Sequence, residues 1–299
     1  MNNLTVSVVM ITYGHENCIE ESINGVLSQI SNSTIELIIS DDCSPDNTEI
    51  IVNKIIRNHP NGHWIKYIRH SKNKGAIPNF AWTISQAQGK YIALCEGDDY
   101  WTDCSKIQKQ VDFLENNEEY SVCFHDVEEI DHTGKLLDKR LVASHTAEKT
   151  YTIEDLAEGN FIHTVSVVFR KNFNELPSWY LTSPAGDYPL HMINASYGLI
   201  KYFPEKMAVY RVGQGVWSSQ TRQSQFVNTI FIIKLMMANL TLNNEVIKNL
   251  DHQLLRLISN IKDIISPAND KLQDPEKMAY NLPIRKLVII LLKKIRYYF

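Results

Sequence analysis

An α/β fold, with a mostly parallel central sheet flanked by helices and a helical extension at the C-terminal end, is the architecture this sequence predicts. Three observations predict it. Across residues 1–100, short apolar runs alternate with amphipathic helical patterns, the signature of successive βαβ units. The segment after each apolar run carries acidic, hydroxyl or glycine residues, as ligand loops do beyond the carboxyl ends of parallel strands. Past about residue 218 the strand-like runs give way to long helical patterns.

In order, strands are expected at 7–12, 36–40, 65–69 and 91–94, with helices near 18–29, 45–58 and 78–88 between them. Each helix is preceded by polar or turn-forming residues able to cap it. A helix over 103–116 and a strand over 121–127 follow, then a polar stretch, 131–150, whose Asp131-His132-Thr133-Gly134 reads as a hairpin tip. A short helix over 152–158, a strand over 166–170 and a helix from about Asp187 to Tyr197 complete this part. Helices over 223–240 and 244–264 form the extension.

With 299 residues, 44% hydrophobic and 21% charged, the chain has the composition of a soluble globular protein with a full core, in one large domain or two smaller ones. A net charge of −4 argues against general nucleic-acid binding. The five cysteines, Cys18, Cys43, Cys95, Cys104 and Cys123, form an odd set with no CxxC pair and no signal peptide, which favours a reducing cytosol. A zinc site from Cys95, Cys104, Cys123 and His125 matches no common spacing, so packed thiols are the expectation.

Cys95-Glu96-Gly97-Asp98-Asp99-Tyr100-Trp101 sets carboxylates and a glycine directly after the strand-like 91–94. Crowded carboxylates repel one another unless a cation or a proton neutralises them, which points to Mg²⁺ or Mn²⁺. The same residues also suit a turn and helix start, with Asp103 as the cap. Neither GxGxxG nor GxxxxGK[ST] is present, so phosphates need another holder, and a metal on the Asp98/Asp99 turn supplies one. Tyr13 can stack on a base and Asp42 can accept from a ring N–H, although Asp41, Asp42 and Asp46 can equally cap the second helix.

The last segment, 284–299, repeats Ile284, Leu287, Val288, Leu291, Leu292, Ile295 and Tyr298 at helical spacing among Arg285, Lys286, Lys293, Lys294 and Arg296. Its uninterrupted apolar run, 287–292, is far short of the roughly 18 residues a bilayer requires. Such a helix can lie on an anionic membrane surface or dock on protein.

Four motifs in this order, Val6-Ser7-Val8-Val9-Met10-Ile11-Thr12-Tyr13, Ile38-Ile39-Ser40-Asp41-Asp42-Cys43-Ser44, Asn73-Lys74-Gly75 with Asn79, and Glu96-Gly97-Asp98-Asp99-Tyr100-Trp101, resemble family 2 glycosyltransferases. The resemblance is best over 4–130. It continues more weakly through Gly186-Asp187-Tyr188-Pro189-Leu190 and Tyr210 to Ser218, and the last eighty residues lie beyond it.

This resemblance implies a GT-A fold with a Rossmann-like sheet, a nucleotide-diphosphate-sugar donor, preferably UDP-linked, a divalent metal (Mg²⁺ or Mn²⁺) and inversion at the anomeric carbon. Thr12 and Tyr13 would border the nucleoside, with Glu16 and Asn79 also on the donor side, and Asp42 would bind the base. Asp98 would meet the metal as the acid of the DxD-like motif, in which Glu96 replaces the first Asp. Asp99 would contact hydroxyls or assist the metal, Arg211 would reach phosphate, and Asp187 would be the catalytic base. Two departures stand out: Gly186 occupies the place of the usual Glu before the base, and Gly213 stands where relatives often carry a metal-binding His. His163 and His191 face the acceptor or serve the structure.

On this resemblance residues 1–218 form the catalytic domain, divided into a nucleotide-binding half, 1–100, and an acceptor half, 101–218. Residues 219–299 form the helical region with its basic tail. The expected acceptor is a glycan or lipid-linked glycan of a bacterial surface polysaccharide, such as capsule or lipopolysaccharide, at the cytoplasmic membrane face, and a homo-oligomer is compatible with the sequence. A catalytically silent nucleotide- or glycan-binding relative is the alternative. A sugar nucleotidyltransferase is a weaker one, since its Gly-rich basic loop is absent between Thr12 and Cys18.

Overall fold

The computed structural model describes residues 5–137, 147–213, 215 and 217–265, so the basic segment 284–299 lies outside the described residues. The four expected strands are present as β1 (Val6–Thr12), β2 (Ile35–Asp41), β3 (Ile65–Arg69) and β4 (Tyr91–Leu94). Between them run α1 (Ile19–Leu27), α2 (Thr48–Asn58) and α3 (Ala76–Gln86). Then come β5 (Tyr100–Trp101), α4 (Lys106–Asn116), β6 (Tyr120–Ile130), β7 (Lys149–Tyr151), α5 (Ile153–Ala157), β8 (Val168–Arg170), α6 (Asp187–Ala195) and β9 (Leu199–Arg211). The extension is α7 (Arg222–Asn239) and α8 (Asn244–Ile265).

The strands join in one sheet, ordered β3-β2-β1-β4-β8-β6-β9-β5, with β7 also paired to β9. Its first half is parallel, as expected: β1 pairs with β2 and β4, and β2 with β3. Beyond β4 the sheet is mixed, because β8 runs antiparallel to both β4 and β6 while β9 runs parallel to β6. Three strands, β5, β7 and β9, are additions to the sequence-based expectation. Pro204 sits inside β9, and a proline within an apolar run argues against a strand. The register shifts where β6 meets β9 absorb the irregularity.

Strand side chains alternate between two cores. Val8, Met10, Leu37 and Ile39 face one side with Ile19, Ile23, Val52 and Ile107 of α1, α2 and α4. Val9, Ile38, Ile92 and Leu94 face the other with Phe80, Ile84, Leu156 and Leu190. Each such side chain contributes about 1.5–3 kcal/mol on burial. Ile232, Ile233, Leu250 and Leu254 of α7 and α8 belong to this second core, so the described part of the helical extension packs on the sheet layer.

Strand order reverses about β1, with β2 and β3 on one side and β4 on the other, and ligands bind parallel sheets at such a switch point. Thr12 and Asp41 are register partners at the carboxyl ends of β1 and β2, and the chain after β4 continues alongside β1 through Gly97 N–H to Ile11 O, 3.0 Å.

Candidate active site

Gly97 fixes where the acidic turn lies. A Cβ on it would meet Thr12 Oγ1 at 2.8 Å and His15 Nδ1 at 2.7 Å, so only glycine lets the turn press against the end of β1. The turn then brings one carboxylate oxygen each from Glu96, Asp98 and Asp99 within 4.8 Å of one another. Asp98 is 7% exposed and Asp99 fully buried. Burial, with the charges of Asp98 and Asp187, pushes Glu96 up to about 8. Burial and Asp98 likewise hold Asp99 well above the usual carboxylate range.

Asp99 is tied to the far end of the sheet: Arg211 N–H donates to its Oδ1 at 2.8 Å, while its buried Oδ2 has no hydrogen-bond partner. The Arg211 guanidinium donates to Asp98 O and to Glu21 Oε2, and it lies 4.7 Å from the Tyr100 ring centre. Arg211, expected at a phosphate, is therefore engaged as a clamp on the acidic turn. Gly213, with φ +95°, donates to Ser218 Oγ at 3.0 Å, and a Cβ on Gly215 would lie 3.9 Å from Asp98 Oδ2, so this loop passes beside Asp98.

Asp187 opens α6, where the helix N-terminus favours an anion. Asn160 Nδ2 donates to its Oδ2 at 2.8 Å. Burial nevertheless raises the Asp187 carboxyl, against the lowering by nearby backbone N–H groups, His163 and Asn160. Gly186 could not be a larger residue here, because a Cβ would come 2.3 Å from Tyr180 Oη, which itself donates to Gly186 O at 2.9 Å. The charge of Asp187 reaches Glu96, Tyr180 and Tyr210, and Tyr210 also feels Glu96, Asp98 and Asp99. The acidic turn and Asp187 thus lie within electrostatic reach of one another.

On the β1–β2 side, Thr12 is buried with its hydroxyl 3.1 Å from His15 Nδ1, and Tyr13 is 49% exposed at the rim. Asp42 accepts Lys74 N–H at 2.7 Å and Gly75 N–H at 2.9 Å, one on each oxygen, which fastens the Asn73-Lys74-Gly75 loop to β2. Glu16 accepts twice from Asn47, ahead of α2. Asn79 is buried, bonded to Ser40 and 3.0 Å from His70 Nε2, so it braces α3 against β2. Glu16 thus joins the loop after β1 to the one ahead of α2, and Asn79 joins α3 to β2.

His163 lies 3.3 Å from Glu129 and packs its ring 5.0 Å from Tyr210. His191 is fully buried and is pushed down to about 3 by that burial, so it is a neutral core residue. The five cysteines form no disulfide among the described residues. Among the described residues, Glu96, Asp98 and Asp99 form the one group of three or more metal-capable side chains. An all-carboxylate set of this spacing, with one buried oxygen unpartnered, suits a hard divalent cation. Sequence reasoning missed Asn160, Tyr180 and the fully buried Lys106, whose ammonium lies 4.2 Å from the Trp101 ring centre beneath the turn. No motif marks any of the three.

The model of the family described as glycosyl transferase family 2 matches residues 7–176, and this chain belongs to that family. An uncharacterized protein of Mycobacterium tuberculosis is 36% identical over 228 residues, 75% of this chain and 64% of its own length, so the chain spans under two thirds of that relative. The UDP-Glc:alpha-D-GlcNAc-diphosphoundecaprenol beta-1,3-glucosyltransferase WfaP of Escherichia coli is 36% identical over 110 residues, 37% of this chain and 41% of WfaP.

Among solved structures, S. aureus TarS 1-349 in complex with UDP-GlcNAc superposes with a TM-score of 0.65 at 18% identity, covering 89% of this chain and 77% of that one. The mannosyltransferase PcManGT from Pyrobaculum calidifontis, in complex with GDP-Man and Mn²⁺, gives 0.58 at 12% identity, covering 96% and 84%. These likenesses establish the GT-A fold. Among the described residues no helix is long and apolar enough to cross a membrane.

Proposed function

We propose that this chain transfers a sugar from a nucleotide-diphosphate-sugar, preferably UDP-linked, to a hydroxyl of a glycan or lipid-linked glycan in bacterial surface-polysaccharide synthesis, with inversion. One observation carries the reading: the turn after β4 gathers carboxylate oxygens of Glu96, Asp98 and Asp99 within 4.8 Å of one another, and the charge of Asp187 at the start of α6 reaches Glu96. WfaP, by its name, uses UDP-Glc on a diphosphoundecaprenol-linked sugar, and TarS holds UDP-GlcNAc, which supports the UDP preference and the class of acceptor.

Thr12, Tyr13 and Asp42 border the nucleoside, with Tyr13 free to cover the base and Asp42 shaping the floor. Asp98, assisted by Glu96, is the holder of Mg²⁺ or Mn²⁺, and the cation supplies charge that stabilises the departing diphosphate. Asp187 takes the acceptor hydroxyl proton as that oxygen forms its bond to the anomeric carbon. The bond from carbon to diphosphate breaks on the opposite face, and its electron pair leaves on the phosphate oxygen. Arg211 and Asp99 keep the turn in place, and orientation of both reactants accounts for much of the acceleration.

A panel of UDP-, GDP- and dTDP-sugars, assayed for hydrolysis with Mn²⁺ and with EDTA, tests this reading. Cation-dependent release of one nucleotide diphosphate is expected. A chain that neither binds nor cleaves any donor with Mn²⁺ present is the catalytically silent relative instead.

A further inference from the structure

One oxygen of the Asp187 carboxylate is held by a side chain from another segment of the chain. Asn160 Nδ2 donates to Asp187 Oδ2 at 2.8 Å, the one side-chain hydrogen bond Asp187 receives among the described residues. The amide is fixed in its turn, because its Oδ1 accepts Ile162 N–H at 3.2 Å and the Ile162 side chain is 1% exposed in the core. That pairing also settles which end of the amide faces the carboxylate, since only the oxygen can accept from Ile162. Backbone N–H groups of Tyr188 and of Asp187 itself also act on this carboxylate, and Asn160 is the side chain that adds direction to it, since a base must present one lone pair in one direction.

We propose that Asn160 is the positioning residue of the catalytic base, fixing one Asp187 oxygen so that the other is presented to the acceptor hydroxyl. This rests on the assignment of Asp187 as base. An amide suits this role because it donates to the ionised carboxylate and cannot take the proton itself. The spacing of 27 residues in sequence is bridged because the segment leaving α5 passes the start of α6. Besides Asn160, the titratable groups in electrostatic reach of Asp187 are Glu96 after β4, His163 after α5, Tyr180 before α6 and Tyr210 on β9. None of them is bonded to its carboxylate among the described residues.

The experiment follows the Asp187 carboxyl carbon by ¹³C NMR against pH in the full chain with Mg²⁺ and UDP, in the wild type and in Asn160→Ala and Asn160→Asp. Loss of the N–H donor should raise the Asp187 midpoint by roughly half to one pH unit, and the isosteric Asn160→Asp, which adds a like charge, by more than one. Asn160→Asp keeps the shape and the acceptor for Ile162, so a midpoint that moves in the folded variant reports the lost N–H donor and the added charge beside Asp187 rather than a change of fold. A midpoint unmoved in the folded Asn160→Asp chain overturns the proposal, whether or not Asn160→Ala folds. Asp187→Asn transferring sugar at the wild-type rate would overturn the base assignment alone and leave the measured pairing intact.

Discussion

The backbone N–H of Arg211 donates to Asp99 Oδ1 at 2.8 Å, and so the last strand in the chain, β9, holds the acidic turn that follows β4. The Arg211 side chain repeats the connection through Asp98 O and extends it to Glu21 on α1. Three segments distant in sequence therefore fix where Asp98 stands.

Arg211→Ala removes the guanidinium but keeps the backbone bond, so the turn should persist and loosen. Residues that orient a metal ligand typically change metal affinity about 10–100-fold. Titration of Mn²⁺ into the UDP-bound protein should show a loss in that range, with a fold unchanged by circular dichroism. Unaltered Mn²⁺ affinity would return Arg211 to the role of a direct phosphate contact.

Gly97→Ala should act more severely. The new Cβ has to displace Thr12 or His15, both at the end of β1, and overpacking of this kind costs about 1–3 kcal/mol. Thermal unfolding should report the loss, and UDP affinity should fall with it because the acidic turn and Thr12 move together. A variant as stable as the wild type would show that the turn is not pressed against β1.

In the cation-free protein, stability should decline as pH rises from about 4.5 to about 8. Glu96 is raised from 4.5 to about 8 in the folded chain, so across this window the unfolded chain has lost a proton the folded chain keeps. Asp99 and Asp187 are shifted in the same direction. Melting curves in EDTA should fall across the window. The fall should shrink in Glu96→Gln, which has no proton to lose, and with Mn²⁺, which favours the ionised carboxylates. Stability rising with pH over this range would contradict the crowding of the acids.

Much of the first half of the fold was legible in the sequence because its strands are unbroken apolar runs with polar candidate residues at or just past their ends, as with Thr12 at the end of β1 and Asp98 after β4. The second half was less so. Pro204 concealed β9, and Arg211, read as a phosphate contact, could be recognised as a clamp only once β9 was known to end beside the turn. Glu16 and Asn79 carried the right residue types for a donor site, yet their partners Asn47, Ser40 and His70 become neighbours only on folding. Asn160 left no signal, since a lone asparagine after a short helix has many ordinary uses.

Paired binding and turnover by Asp98→Asn and Asp187→Asn test the central claim most directly. With the donor that the panel identifies and Mn²⁺ present, Asp98→Asn should lose both donor binding and turnover, whereas Asp187→Asn should bind the donor as the wild type does and fail to transfer or hydrolyse it. Donor affinity lost equally in both, or Asp187→Asn turning over at the wild-type rate, would contradict a cleft in which one acid serves the metal and the other the acceptor.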